Sequence, residues 1–230
     1  MKPGRVEGCV TIPGSKSHTI RGLLAATLAD GRSVLRRPLR ASDTESCVEI
    51  CRALGADVDC SSDDRWTVSG TGGRPRAASD VIDVGNSGTS LFLAMGLAAL
   101  ADGETTFTGD EQIRRRPGGP LVRALNALGA GARAEGANDC APFVVRGRLT
   151  GGHVTMECPI SQYISSLSLS CPLADGDSVV DVPVLNEKPY AGITLGWLDR
   201  LGIRYSANED LSHFEFPGRQ AYHSFDLPIP

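Results

Sequence analysis

Two short segments recur along this chain with one shared period, and that coincidence constrains the fold more tightly than any composition does. The tetrapeptide Leu-Ala-Asp-Gly occurs at residues 28–31, 100–103 and 173–176, at intervals of 72 and 73 residues. A second series, in the strings RALGADV, NALGAGA and DRLGIRY, centres on Leu54, Leu128 and Leu201, at intervals of 74 and 73. One match of this kind is cheap, because these residues are common and helices often end in glycine. Two series in step mark an internal repeat. Each Leu-Ala-Asp-Gly closes an apolar, helix-like stretch (RGLLAATLADG, SLFLAMGLAALADG, ISSLSLSCPLADG), where the glycine reads as a helix stop. A run rich in β-branched residues follows each time: SVLRRPL, ETTFTGD and DSVVDVPV. The unit is therefore strand, helix, strand, helix and strands, too long for a solenoid repeat. This pattern predicts an α/β fold of three units packed about a pseudo-threefold axis, over about 15–80, 81–150 and 151–225.

Counting twelve residues back from each Leu-Ala-Asp-Gly leucine lands on Lys16, Gly88 and Ser161, in the strings PGSKSHTIR, GNSGTS and PISQYIS. Small polar residues at all three helix starts leave free N–H groups for a ligand. With threefold-related helices, their positive ends gather at one end of the domain and form an anion site. The segments before the second helices are charged: Ser42-Asp43-Thr44, Arg114-Arg115-Arg116-Pro117 and Glu187-Lys188-Pro189-Tyr190. Lys16, Arg21, Arg116 and Lys188 are expected to converge there, since arginine grips phosphate or carboxylate through two parallel bonds. No GxxxxGK[ST] loop is present, so a nucleotide-hydrolysing site is excluded on that ground.

Composition narrows the class. Over 230 residues the net charge is −4, which argues against a dedicated nucleic-acid binder despite Arg36-Arg37 and Arg114 to Arg116. No apolar run approaches the roughly 20 residues of a membrane helix. The start MKPGRVEGCVTIPG has no apolar signal core, so a cytoplasmic location is expected, with no membrane partner. Seven cysteines without a CxxC pair read as reduced, mostly buried thiols, Cys47 and Cys51 among them. His18, His153, His213 and His223 lack metal-ligand spacing, so neither a metal nor a cofactor is expected.

The strings PGSKSHTIRGLLAATLADG, SDTESCVEICRALGADV, GNSGTSLFLAMGLAALADG, GDEQIRRRPGGPLVRALNALGA, SQYISSLSLSCPLA and EKPYAGITLGWLDRLG, in this order across residues 13 to 203, resemble the enolpyruvyl transferase family. The resemblance implies one domain of that family's inside-out barrel, three βαβαββ units with buried parallel helices over residues 15–230, facing a second domain across a cleft. It covers only the first half of such an enzyme. Residues 1–14 resemble the opening strand and hinge that belong to the second domain, which is expected from the same gene beyond Pro230 or from a separate chain.

The resemblance also implies an activity: transfer of the enolpyruvyl group of phosphoenolpyruvate to the 5-hydroxyl of shikimate 3-phosphate, without a cofactor, in aromatic amino acid biosynthesis. Lys16 resembles the catalytic lysine that contacts both substrates. Asn86, Gly88, Arg116 and Gln162 resemble the phosphoenolpyruvate contacts, and Ser17, Arg21, Ser161, Gln162, Glu187 and Tyr190 stand at acceptor positions. Three positions depart from the family pattern. Phe92 replaces an arginine, Ile160 replaces the first of two serines before Gln162, and Glu187 replaces a serine in the pocket for the acceptor's phosphate. Three readings follow: half of the ordinary synthase, inactive in isolation; a paralogue for a non-phosphorylated acceptor; or a non-catalytic domain that docks a partner chain.

Overall fold

The computed structural model describes residues 7–10 and 12–230. The strand expected over residues 1–14 falls partly outside these; residues 7–10 and 12–14 carry neither helix nor strand.

The first unit contains α1 (Lys16–Leu28), β1 (Arg32–Arg36), α2 (Ser42–Ala53), β2 (Asp57–Asp59) and β3 (Arg65–Ser69). The second runs β4 (Ile82–Asp83), α3 (Gly88–Ala98), β5 (Glu104–Thr108), α4 (Gly119–Ala127), β6 (Gly131–Gly136) and β7 (Cys140–Arg146). In the third lie β8 (Gly152–Thr155), α5 (Gln162–Ser170), β9 (Ser178–Asp181), α6 (Lys188–Arg200), β10 (Ser206–Ala207) and β11 (His213–Phe216), and β12 (Asp226–Pro228) follows.

Three four-stranded sheets form, in the orders β4-β5-β7-β6, β8-β9-β11-β10 and β12-β1-β3-β2. In each, the first pair is parallel and the other two pairs are antiparallel. The chain's last strand, β12, thus occupies in the first sheet the place that β4 and β8 hold in theirs. Val34 pairs with Asp226 and Leu35 with Leu227, and the Ile229 amide donates to the Arg36 carbonyl at 2.8 Å. The first unit is completed from the far end of the sequence, which the repeat alone did not indicate.

The inner helices α1, α3 and α5 supply the centre of the core. Residues 19–28 of α1 are all buried, and α3 buries every residue but Thr89. α5 is buried from Tyr163 to Ser170 although it is rich in serine. Its hydroxyls find partners inside: Ser168 Oγ donates to the Ile164 carbonyl at 2.8 Å, Ser170 Oγ to that of Ser166 at 3.0 Å, and Ser166 Oγ accepts the Gly96 amide of α3 at 3.1 Å. The outer helices α2, α4 and α6 bury one face each. All seven cysteines are free, and burial pushes the Cys158 and Cys171 thiols up to about 12, as inert packing residues.

The two repeated signals act differently. Gly55, Gly129 and Gly202 follow the ends of α2, α4 and α6 with φ of 102°, 99° and 67°, the left-handed stop that glycine adopts without a Cβ clash. The Leu-Ala-Asp-Gly segments do not end their helices this way, because Ala29 after α1 is already extended and α3 stops at Ala98. Their aspartates instead receive the chain crossing in from the neighbouring unit. Asp30 bridges to His223 and Asp102 to Arg76, and the Asp175 amide donates to the Leu149 carbonyl at 3.1 Å. The Asp30 carboxylate lies 3.2 Å from His223 Nδ1, and that of Asp175 lies 3.7 Å from Arg148.

Candidate active site

The starts of the three inner helices meet. Lys16, Ser17 and Arg21 of α1, Thr89 of α3, Ser161 and Gln162 at the start of α5, Arg116, and Glu187 and Tyr190 at the start of α6 line one open cavity of about 240 Å³. Ser15 and Ser87 cap α1 and α3 by accepting the amides of His18 and Ser90, each at 3.4 Å.

Arg21 is 1% exposed, and its guanidinium is fully directed. Nε donates to Thr194 Oγ1 at 2.6 Å, Nη1 to the Ser17 carbonyl at 3.1 Å, and Nη2 to Ser165 Oγ at 3.2 Å and the Tyr190 carbonyl at 3.1 Å. All four partners are neutral oxygens. Burial lowers its pKa to about 10, the mark of a cation held without a counter-charge. Arg116 reaches the cavity from the loop after a short 3-10 turn at Ile113–Arg115. Its guanidinium rests on the start of α3, where a Cβ on Gly88 would lie 2.5 Å from Nη1. Only glycine leaves that seat open. Lys16 Nζ pairs with Asp43 Oδ1 at 3.3 Å across from α2.

Two further atoms bear on a ligand. Gln162 Oε1 is buried with no hydrogen-bond partner among the described residues, a cost that a donating ligand would remove. Glu187 sits in the left-handed region (φ 57°, ψ 39°), and its Oε2 accepts the Ser161 hydroxyl at 3.1 Å and the Ser161 amide at 3.4 Å.

Several candidates lie elsewhere. Asn86 lines no part of the cavity; its Nδ2 donates to Asp110 Oδ2 at 2.5 Å. Asp110 in turn accepts the amides of Gln112 and Ile113, each at 2.9 Å, so Asn86 braces the turn that carries Arg116. The Ile113 amide foremost, then the Asn86 side chain and the Gln112 amide, hold the Asp110 carboxyl below its usual range. Lys188 does not converge with the other cations: its Nζ donates to the Asp210 carbonyl at 2.7 Å. Arg115 pairs with Glu111. Two participants were not foreseen as site residues, Thr89 beside Gly88 and Asp43 as the partner of Lys16. Both sit in strings already marked as helix starts, which was the available signal.

A cavity at three helix starts, with a lysine and two guanidiniums that have no carboxylate partner among the described residues, is built for anions. The family model of EPSP synthase (3-phosphoshikimate 1-carboxyvinyltransferase) matches residues 1–230. The chain belongs to the EPSP synthase family. It is 50% identical over 225 residues to the 3-phosphoshikimate 1-carboxyvinyltransferase of Ruminiclostridium cellulolyticum, covering 98% of this chain and 53% of that protein. With the protein of the same name from Acetivibrio thermocellus it shares 48% identity over 230 residues, 100% of this chain and 54% of the relative. The fold matches a solved EPSP synthase from Acinetobacter baumannii with a TM-score of 0.86 at 22% identity, over 97% of this chain and 49% of that one. The chain spans about half the length of the curated relatives it matches.

Two of the three positions that depart from the family pattern are interior packing. Phe92 is fully buried, edge-on to Tyr163 with ring centroids 5.1 Å apart and tilted against Phe143 at 6.0 Å. The Tyr163 hydroxyl donates to the Pro117 carbonyl at 2.5 Å, so this aromatic group supports the segment that follows Arg116. Ile160 is half-buried against the core. Glu187 alone among the three puts a charged side chain into the cavity.

Proposed function

We propose that this chain forms half of the active site of a 3-phosphoshikimate 1-carboxyvinyltransferase, binding phosphoenolpyruvate and shikimate 3-phosphate against a second domain in the cytoplasm. The observation that carries this reading is the pairing of Arg21 and Arg116, both without a carboxylate partner within 4.0 Å among the described residues, at the joined starts of α1, α3 and α5.

In this reading Arg116, Lys16 and the start of α3 at Gly88 hold the phosphate of phosphoenolpyruvate, with Asn86 bracing the loop. Ser17, Arg21, Ser161 and Tyr190 hold the acceptor, and the unpaired Gln162 oxygen lies between the two ligands. The acceptor's 5-hydroxyl gives up its proton to a base as its oxygen bonds to C2 of phosphoenolpyruvate and an acid adds a proton to C3, giving a tetrahedral ketal. The ketal then loses phosphate while a proton leaves the same methyl carbon, which restores the double bond. The cations on this chain oppose the charge of the reacting phosphate throughout. The cavity is open on one side, so a second domain is needed to exclude water and complete the acid and base chemistry.

The test is calorimetry of the 230-residue chain with shikimate 3-phosphate and with shikimate. Tighter binding of the phosphorylated compound is expected; equal or weaker binding would overturn the assigned acceptor. The contact of Glu187 with Ser161 favours a second reading, in which the acceptor carries no phosphate and offers a hydroxyl to that carboxylate.

A further inference from the structure

The buried helix α5 begins at a position that an anion would fill, and the protein fills it with one of its own side chains. Ser161, 1% exposed, caps α5 without using its own hydroxyl for the helix. Its amide and hydroxyl both point to Glu187 Oε2. This carboxylate belongs to an exposed residue and is bound by no cation among the described residues: Lys16, Arg21 and Arg116 line the same cavity, yet none lies within 4.0 Å of it. It sits directly before α6, whose Tyr190 carbonyl holds Arg21 and whose Tyr190 amide donates to the Glu187 carbonyl at 2.9 Å. The backbone at Glu187 is left-handed, a conformation that disfavours a residue with a Cβ and is found where the surroundings impose it.

We propose that Glu187 is a specificity-determining residue, a resident anion at the start of α5 that an acceptor phosphate must displace or approach against its charge. The inference rests on the anion-binding reading of this cavity given above. Glu187 can swing away because it is exposed and is held only by the uncharged donors of Ser161, with no ion pair to break among the described residues. While it stays, it repels a dianion and accepts hydrogen bonds from neutral hydroxyls. The residue therefore narrows the advantage of a phosphorylated acceptor over the same compound without phosphate. It makes no ion pair with Arg116, the residue assigned above to phosphoenolpyruvate, and bonds instead to Ser161.

The experiment compares the wild-type chain with Glu187→Gln, which keeps the shape and removes the charge, and with Glu187→Gly, which also suits a φ of 57°. Calorimetry is run with shikimate 3-phosphate, shikimate and phosphoenolpyruvate at low and high salt. Both variants are expected to bind shikimate 3-phosphate about tenfold more tightly at low salt, with the gain shrinking at high salt and with shikimate changed less than about twofold. Phosphoenolpyruvate affinity should rise less than that for shikimate 3-phosphate, since Glu187 bonds to Ser161 at the start of α5 whereas Arg116 rests on the start of α3. A merely structural role for Glu187 cannot produce tighter binding of one ligand alone. Unchanged or weaker shikimate 3-phosphate binding in both variants would overturn the inference and leave the assigned acceptor intact if the wild type already prefers the phosphorylated compound. A wild type that favours shikimate, with the preference reversed in the variants, would uphold the inference and overturn that acceptor. Failure of all three proteins to bind either phosphorylated ligand would overturn both.

Discussion

Arg21 donates its Nε to the Thr194 hydroxyl at 2.6 Å and so joins α1 of the first unit to α6 of the third, 173 residues further along the chain. Thr194 Oγ1 also lies 2.8 Å from Ser165 Oγ on α5, which closes a buried polar junction among three helices. The guanidinium has the fork geometry to reach four oxygens at once, and no acid neutralises it. The same group therefore locks the helices at one end and projects positive charge into the cavity.

Arg21→Lys is expected to lose about 1.5 to 3 kcal/mol of stability in urea unfolding, because an ammonium cannot span the four acceptors and charged hydrogen bonds are worth that much. Arg116→Lys, in a loop and without a buried partner, should leave the unfolding midpoint unchanged. Equal stability of both variants with the wild type would mean that the Arg21 junction contributes nothing net.

Arg116→Ala is expected to weaken binding of phosphoenolpyruvate by about 1.5 to 3 kcal/mol in calorimetry, the range for a charged hydrogen bond. No change in affinity would place the guanidinium outside the phosphate contact.

Gly88→Ala tests the seat of that guanidinium. The new methyl would stand 2.5 Å from Arg116 Nη1, so the side chain must move off the start of α3. Phosphoenolpyruvate affinity should fall about tenfold or more. The melting temperature should hold or rise, since alanine favours a helix by up to about 1 kcal/mol over glycine. Unaltered affinity would show that Arg116 does not need this seat.

A ladder of titrating groups crosses the outer face of the third sheet. His153 Nε2 lies 2.5 Å and His213 Nδ1 2.7 Å from the two oxygens of Asp181, and Glu215 lies 3.4 Å from His213 Nε2. Bonding to Asp181 foremost, then Glu215, raises the His213 pKa above 6.5, while His213 foremost, then His153, lowers that of Asp181 below 3.8. The raised histidine stabilises the fold fully below pH 6.5, and that contribution is lost as pH rises through its folded value. The lowered aspartate stabilises fully above pH 3.8, and its contribution is lost as pH falls through its folded value. Both are complete between these limits. The urea midpoint should therefore be higher at pH 5 than at pH 8, and His213→Gln should shrink the difference. An identical difference in the variant would assign the pH dependence to other groups.

The isolated chain is expected to bind ligands without turnover, because its cavity is open on one side. Phosphate release from phosphoenolpyruvate and shikimate 3-phosphate by this chain alone, above the rate without protein, would show that one domain suffices.

Much of the site was legible because helix starts are local. Serine and glycine before Lys16, Gly88 and Gln162 are signals within one helical turn, and the structure brings Lys16, Ser17, Arg21, Arg116, Ser161, Gln162, Glu187 and Tyr190 to one cavity. Asn86 and Lys188 lie outside that cavity, because residue type does not say where a long or amide side chain turns. Asn86 finds Asp110, 24 residues on, and Lys188 finds a carbonyl 22 residues on, both across loops whose course the repeat leaves open.

The sequence by itself determined the three units, their order of helices and strands, and the helix ends that gather charge, since periodicity and caps act over a few residues. Only the tertiary structure decided that Asp226–Pro228 completes the first sheet, because three residues carry too little pattern to choose a partner some 190 positions away. It also decided that Arg21 is buried among neutral oxygens and that Glu187 occupies the start of α5. Those outcomes depend on packing between units, where burial and hydrogen-bond geometry, rather than residue type, set what a charge does.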